Sequence, residues 1–190
     1  MSKKVIVVYC SKTGFTKKYA EWIAEEIDSD LIEASKVRIN DLIKYETIVY
    51  GGALYAKGIN GLKLFLKKIE EMKDKKLIVF FLGATPLHEG IKEEVINSNF
   101  SKEQQESIKF FMLRGGFNFN CLNIMDKFAM FLLKLKLETK KNLTPDEKGM
   151  LSSYSRPIDF TDKKYIIPIV NEIRNGIIKD NYNKEVIFYD

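Results

Sequence analysis

Metal and thiol chemistry have little to work with in this chain. Its 190 residues include only two cysteines and one histidine. Cys10 and Cys121 stand far apart and match no metal-ligand spacing, so no metal site is expected. Cys10 reads as a small buried hydrophobe at the end of the first strand. His88, the sole histidine, reads as a solvated loop residue rather than a catalyst. No apolar run reaches the roughly 18 residues that suggest a membrane-spanning helix. Met1-Ser2-Lys3-Lys4 leads straight into a short strand, without the apolar stretch and cleavage site of a signal peptide. A cytoplasmic location is therefore expected. Glycine is too sparse for the common nucleotide loops. The chain has neither the paired glycines and Lys-Ser/Thr of a triphosphate loop nor the three-glycine dinucleotide fingerprint. An acidic excess is also missing, since the net charge is +5. Such a chain is drawn to anionic lipid, nucleic acid or an anionic substrate. Heavy use of Lys, Ile and Asn fits an AT-rich genome equally well. Charge alone supports nucleic-acid binding, and no nucleic-acid partner is expected.

What is present is a strand, a turn and a helix start. Val5-Ile6-Val7-Val8-Tyr9-Cys10 reads as a buried strand. Ser11-Lys12-Thr13-Gly14-Phe15-Thr16 follows, and a helix-period pattern begins with Tyr19, Ile23 and Ile27. The first N–H groups of a helix have no internal partners, and the helix dipole favours an anion there. Ser11, Thr13 and Thr16 add hydroxyl donors, while Gly14 lets the backbone curl around a phosphate. With hydroxyls in place of a loop lysine, the turn suits a terminal phosphate monoester held without metal. The same residues also suit a helix whose hydroxyls only cap its end.

The length suffices for one α/β domain with a sizeable core, and 45% apolar with 30% charged residues is ordinary for a globular chain. Strands are expected at Lys4–Tyr9, Leu31–Ala34, Thr47–Tyr50, Leu77–Leu82 and Ile108–Leu113. Helices are expected at about Thr16–Asp28, Asn60–Met72, Glu89–Ile96, Lys102–Ser107 and Lys163–Asn175, with a turn of helix between Val37 and Tyr45. Alternation of this kind indicates a doubly wound parallel sheet. Right-handed crossovers gather the strand C-terminal ends on one edge, where ligands bind.

The segment Ser11-x-Thr13-Gly14-x-Thr16 resembles the FMN phosphate loop of the flavodoxin family. A second loop agrees. After Thr47–Tyr50 comes Gly51-Gly52-Ala53-Leu54-Tyr55-Ala56-Lys57-Gly58. The resemblance implies that Tyr55 stacks on the flavin ring and that a carbonyl from Leu54 to Ala56, with Ala53 alongside, faces its N5. The family's glycine after the aromatic is Ala56 here. Gly83-Ala84-Thr85-Pro86-Leu87-His88 takes the place of the second ring loop, so Gly83, Ala84 and Thr85 are ring contacts by position. Neither the family's acid nor its aromatic is present there. Gly115-Gly116-Phe117 reaches the same edge, where the glycines permit close approach to a ligand or simply make a turn. The implied fold is a flavodoxin-like doubly wound five-stranded parallel sheet, order 2-1-3-4-5. It forms a single domain over 1–190 and binds FMN through 11–16, 53–56, 83–85 and 115–116.

An insertion of about 117–158 follows the fifth strand. Asn120 to Leu137 looks helical and carries Leu122, Ile124, Met125, Phe128, Met130, Phe131, Leu132, Leu133, Leu135 and Leu137, with Lys127, Lys134, Lys136, Lys140 and Lys141 among or after them. This reads as a core or dimer helix, or as one lying on an anionic membrane through 121–141, at the inner face, with its lysines snorkelling. Leu113-Arg114-Gly115-Gly116-Phe117, then Asp126-Lys127-Phe128-x-Met130 and later Ser155–Asp159, resembles the flavodoxin-domain branch that includes menaquinone-dependent protoporphyrinogen oxidases. That branch implies an FMN-dependent oxidoreductase acting on a small apolar or anionic redox substrate, a quinone or a porphyrinogen. Arg114, Lys57 or the insertion lysines would attract substrate carboxylates. The flavin carries the electrons, so no catalytic side chain is expected. Two other readings stay open. One is a flavodoxin passing electrons between redox proteins, and the other is an FMN-free scaffold for a protein or membrane.

Overall fold

A computed structural model describes residues 4–55, 58–69, 74–84 and 90–186, with the side chains of 68, 69, 146 and 177–186 left out of account. In chain order the strands are β1 (Val5–Cys10), β2 (Asp30–Glu33), β3 (Thr47–Tyr55), β4 (Gly58–Ile59), β5 (Lys76–Gly83), β6 (Lys109–Arg114), β7 (Gly116–Phe117) and β8 (Ile158–Asp159). The helices are α1 (Phe15–Glu26), α2 (Ile39–Leu42), α3 (Leu62–Ile69), α4 (Ile91–Asn99), α5 (Lys102–Ser107), α6 (Ile124–Glu138), α7 (Pro145–Ser153) and α8 (Ile167–Val186). The main sheet runs β2-β1-β3-β5-β6, all parallel, and the two-residue β4 folds back antiparallel on β3. The predicted fourth and fifth strands are thus β5 and β6, and the order 2-1-3-4-5 holds.

Alternation along each strand builds two cores. Ile6, Val8, Ile48, Tyr50, Val79 and Phe81 point to one face, where α3 and α4 supply Leu62, Phe65 and Val95. Val5, Val7, Val49, Ile78, Phe80 and Leu82 point to the other, under Tyr19 and Ile23 of α1 and Ile169 and Ile173 of α8. A strand covered on both faces has no polar side, which is why β1 and β5 read as unbroken apolar runs.

Three expectations change. First, β3 runs on through Gly51 and Gly52 to Tyr55 instead of ending at Tyr50. Those glycines are not turn residues. A Cβ on Gly51 would strike the buried Phe80 ring, and one on Gly52 would meet Ile59 and the Asn60 carbonyl. The strand needs glycine there for close packing. Second, the insertion holds more than one helix. The apolar helix starts at Ile124 rather than Asn120, after a 3-10 turn at Phe119–Cys121, α7 follows it, and β7 and β8 pair antiparallel at the two ends of the excursion. Third, Lys163–Ile166 is a 3-10 turn that leads into α8. Among the described residues, no helix is long and apolar enough to cross a membrane.

Candidate functional site

The turn between β1 and α1 opens at the C-terminal edge of the sheet. Gly14 adopts φ +92°, a left-handed conformation that strains any L side chain, and a Cβ there would meet nothing within 4 Å. The Ser11 hydroxyl accepts the Gly14 N–H at 3.1 Å and folds the loop on itself. The first intrahelical bond runs from the Lys18 N–H to the Gly14 carbonyl at 2.9 Å. The N–H groups of Phe15, Thr16 and Lys17 therefore precede the helical ladder. Thr13 is half-buried, Thr16 is buried, and Lys12 is exposed. Phe15 turns inward against the α1–α8 core. This donor set, with no carboxylate within the turn, fits a phosphate.

Tyr55 ends β3 beside this turn, 53% exposed. Lys12 bridges the two, its Nζ 4.7 Å from the centre of the Tyr55 ring. Tyr55 also lines a groove of about 330 Å³ with Lys12, Gly58, Asn60, Gly61 and Leu64, a volume in the small-molecule range. The groove wall is rigid at Gly61, whose φ is +73° and where a Cβ would strike the Tyr50 hydroxyl and Cys10 Sγ.

A third element closes the cluster. The Lys12 ammonium donates to Asp126 Oδ2 at 2.7 Å. Asp126 lies in the first turn of α6, and its side chain is 8% exposed. Asn123 caps that helix by accepting the Asp126 N–H at 2.8 Å, and its amide donates to Asp126 Oδ2 at 2.9 Å. The Lys12 hydrogen bond holds the Asp126 carboxyl below its ordinary range, with bonds from Tyr55 and Asn123 adding to it against the cost of burial. The phosphate-type turn, the β3 aromatic and the insertion thus meet at one carboxylate. Sequence reasoning did not single out Asp126 as a site residue. Its signal was an acid three residues after an Asn cap, in a helix whose other charges are mostly lysine, and that reads as plain dipole compensation.

The remaining expected positions are placed as follows. The Ala53 carbonyl accepts the Asn60 N–H at 2.9 Å, and Leu54 and Tyr55 pair with Ile59 and Gly58. These residues belong to a hairpin rather than a free loop. The Gly83 carbonyl accepts the Gly115 N–H at 2.9 Å, and Ala84 is exposed. Gly115 and Gly116 are walled by protein atoms, namely Leu82 beside the first and Phe15 and the Ile158 carbonyl beside the second. Ala56, Lys57, Thr85 and His88 lie outside the described residues. The Arg114 guanidinium stacks on Phe160 at 3.8 Å, and its Nε is buried without a partner among the described residues. Around it the Tyr19 hydroxyl donates to the Arg114 carbonyl at 2.8 Å and accepts the Asp162 N–H at 3.2 Å. Burial pushes the Tyr19 hydroxyl up to about 12. Lys18 pairs with Asp159 at 2.9 Å. The end of the insertion is therefore tied to α1, just as its beginning is tied to Lys12. Among the described residues, no group of His, Cys, Asp and Glu could hold a metal ion.

The family model described as flavodoxin domain matches residues 6–144. The chain belongs to the flavodoxin domain family. Membership assigns FMN as the cofactor and a redox or electron-transfer role to this domain, and the donor set of 11–16 fits the FMN phosphate. Among solved structures, the flavodoxin-domain chain is similar to the Trp repressor binding protein of Bacillus subtilis. The identity is 16%, with 74% of this chain and 100% of that one covered and a TM-score of 0.46. It is similar to the two-electron reduced flavodoxin of Megasphaera elsdenii at 16% identity, over 57% and 84% of the chains, TM-score 0.44. It is also similar to a flavoprotein of Lactobacillus acidophilus in complex with FMN, at 19% identity over 60% and 93%, TM-score 0.40. No curated protein matches the chain.

Acid should release the insertion from this flavodoxin site. The folded Asp126 carboxyl titrates below its unfolded value, so the stability it lends is complete above roughly pH 4 and is lost as pH falls through the lowered value. Exposed Cys121, just before α6, can carry an environment-sensitive fluorophore. Its signal should step below about pH 4 in the native chain. Asp126→Asn should already show the released signal at pH 7 and lack the step. Identical titrations for the two proteins would refute the latch.

Proposed function

We propose that this chain is an FMN-dependent oxidoreductase that turns over a small apolar or anionic redox substrate, in the branch resembling the menaquinone-dependent protoporphyrinogen oxidases. The carrying observation is the junction of Lys12, Tyr55 and Asp126, which brings the insertion to the place where the flavin ring is expected. A bare electron carrier needs only an exposed flavin edge, whereas here an apolar, lysine-bearing helix starts against Lys12, which lies over Tyr55.

The turn Ser11–Thr16 grips the phosphate through hydroxyls and first-turn N–H groups, with Gly14 clearing space for it. Tyr55 would offer its ring to the isoalloxazine; 53–56, 83–85 and 115–116 are the further ring contacts that the family resemblance implies. Bound FMN supplies the electron-accepting and electron-donating ring. Lys12, over the Tyr55 ring and paired with Asp126, would hold the start of α6 beside that ring without adding net charge there. The net charge of +5 favours an anionic substrate over the basic redox partners that acidic shuttles serve.

Steady-state assays of the FMN-loaded protein test the reading. With no second protein present, it should pass electrons from protoporphyrinogen, or from a chemical reductant such as dithionite, to a water-soluble quinone over multiple turnovers, each quinone taking up two electrons and two protons to leave as the quinol. A protein that turns over neither, yet speeds electron transfer between a reductase and an acceptor protein, would be a carrier and would overturn the proposal.

A further inference from the structure

We infer that the outward face of α6 docks on the surface of an anionic phospholipid bilayer. One side of the helix faces the rest of the chain and the other is open. Asp126 and Leu137 turn inward and are buried, and the Met130 carbonyl accepts the Tyr154 hydroxyl of the following segment at 2.7 Å. The opposite face carries Ile124, Met125, Phe128, Phe131, Leu132 and Leu135 in the open, with Ile124 85% and Met125 78% exposed. Ile124, Phe128, Phe131 and Leu135 fall at intervals of four, three and four, one continuous stripe. Met125 and Leu132 widen it on one side. Large apolar residues grouped this way on a surface mark an interaction site rather than ordinary scatter.

Charge selects the occupant. Lys127 flanks one border of the stripe and Lys136 the other, while Lys134, beside Lys127, is taken up by Glu138. The two acids of α6 are neutralised, Asp126 by Lys12 and Glu138 by Lys134 at 3.7 Å. An apolar arc edged by lysines fits lipid headgroups and acyl chains together, because lysine stems lie along the apolar boundary while their ammonium groups meet phosphates. A second copy fits poorly, since pairing α6 with itself would bring the lysine borders of two chains of net charge +5 together. At 15 residues the helix is roughly 22 Å long, shorter than the roughly 30 Å apolar thickness of a bilayer. It therefore lies in the membrane plane. Docking rests on the α6 face alone. Its consequence, that an apolar substrate reaches the flavin from the lipid side, rests on the function proposed above and on the Asp126 contact at the start of the same helix.

Sedimentation of the FMN-treated full-length chain with vesicles tests this. It should bind vesicles of equal parts phosphatidylcholine and phosphatidylglycerol at least about tenfold more tightly than pure phosphatidylcholine, and added salt should weaken binding. The double variant F128S/F131S alters only exposed side chains, so its circular dichroism should match the native chain while its vesicle binding falls at least about tenfold. K127E/K136E should lose the preference for anionic vesicles and keep the fold. Equal binding by F128S/F131S, absence of any vesicle binding, or a native dimer that F128S/F131S converts to monomer without vesicle binding would each overturn the inference. Flavin absorbance in the same pellets separates the two readings. Pelleted but colourless protein sustains the docking and fails the flavin site, whereas yellow protein left in the supernatant does the reverse.

Discussion

Thr13→Glu should bind FMN at least about 100-fold more weakly than the native chain and unfold at the same temperature or slightly above it. Thr13 sits in the turn before α1, half-buried, immediately ahead of Gly14. A carboxylate there occupies the potential that would otherwise hold the phosphate. Like charges forced together in a partly desolvated site cost several kcal/mol, and about 1.4 kcal/mol is a tenfold change. The same carboxylate next to a helix N-terminus lends the apo fold roughly 0.3–1 kcal/mol. The two effects have opposite signs, and that separates a phosphate site from a capped helix end. Flavin fluorescence titration and thermal unfolding of one preparation read both. Unchanged FMN affinity would mean that 11–16 only caps α1.

Gly116→Ala should cost about 3 kcal/mol of stability, a fall in melting temperature of roughly 6–12 °C for a domain of this size. The new Cβ would strike the Ile158 carbonyl across the β7–β8 pair and lie 2.6 Å from the Phe15 ring tip. The first obstacle is backbone and cannot swing aside. The second is the opening residue of α1, so the remaining protein should also hold FMN less tightly. Gly149→Ala is the control. It lies inside α7 with nothing within 4 Å of its would-be Cβ, and the added methyl should be neutral or stabilise the helix by up to about 1 kcal/mol. Equal effects at the two glycines would remove the packing argument.

The centre of the main sheet was readable because its strands are buried on both faces, so β1 and β5 stand out as short apolar runs, and the half-buried edge strand β6 still carries an apolar stretch between Lys109 and Arg114. Strand order came through the resemblance of Ser11–Thr16 and Tyr55 to a known pair of loops, not through periodicity. Gly51-Gly52 misled, because glycine serves close packing against Phe80 and Ile59 as readily as it serves a turn. The helix α7 was passed over although Thr144-Pro145-x-Glu147 forms a capping box with proline in the first turn. Its Pro-Asp-Glu-Lys-Gly opening offers no apolar period to follow. The Lys12–Asp126 pair joins positions 114 apart. Nothing local in sequence encodes such a contact, so the link between turn and insertion required the fold. The exposed stripe of α6 was legible as apolar, but which of its faces turns inward was not.

The central claim is that the turn Ser11–Thr16 recognises the phosphate of FMN. The direct test titrates the apoprotein with FMN and with riboflavin, which carries the same ring and no phosphate, and follows flavin fluorescence. The account predicts one FMN per chain and riboflavin binding at least about 100-fold weaker, as expected when charge-assisted hydrogen bonds worth about 1.5–3 kcal/mol each are removed together. FMN and riboflavin binding with equal affinity, or neither binding, would contradict it.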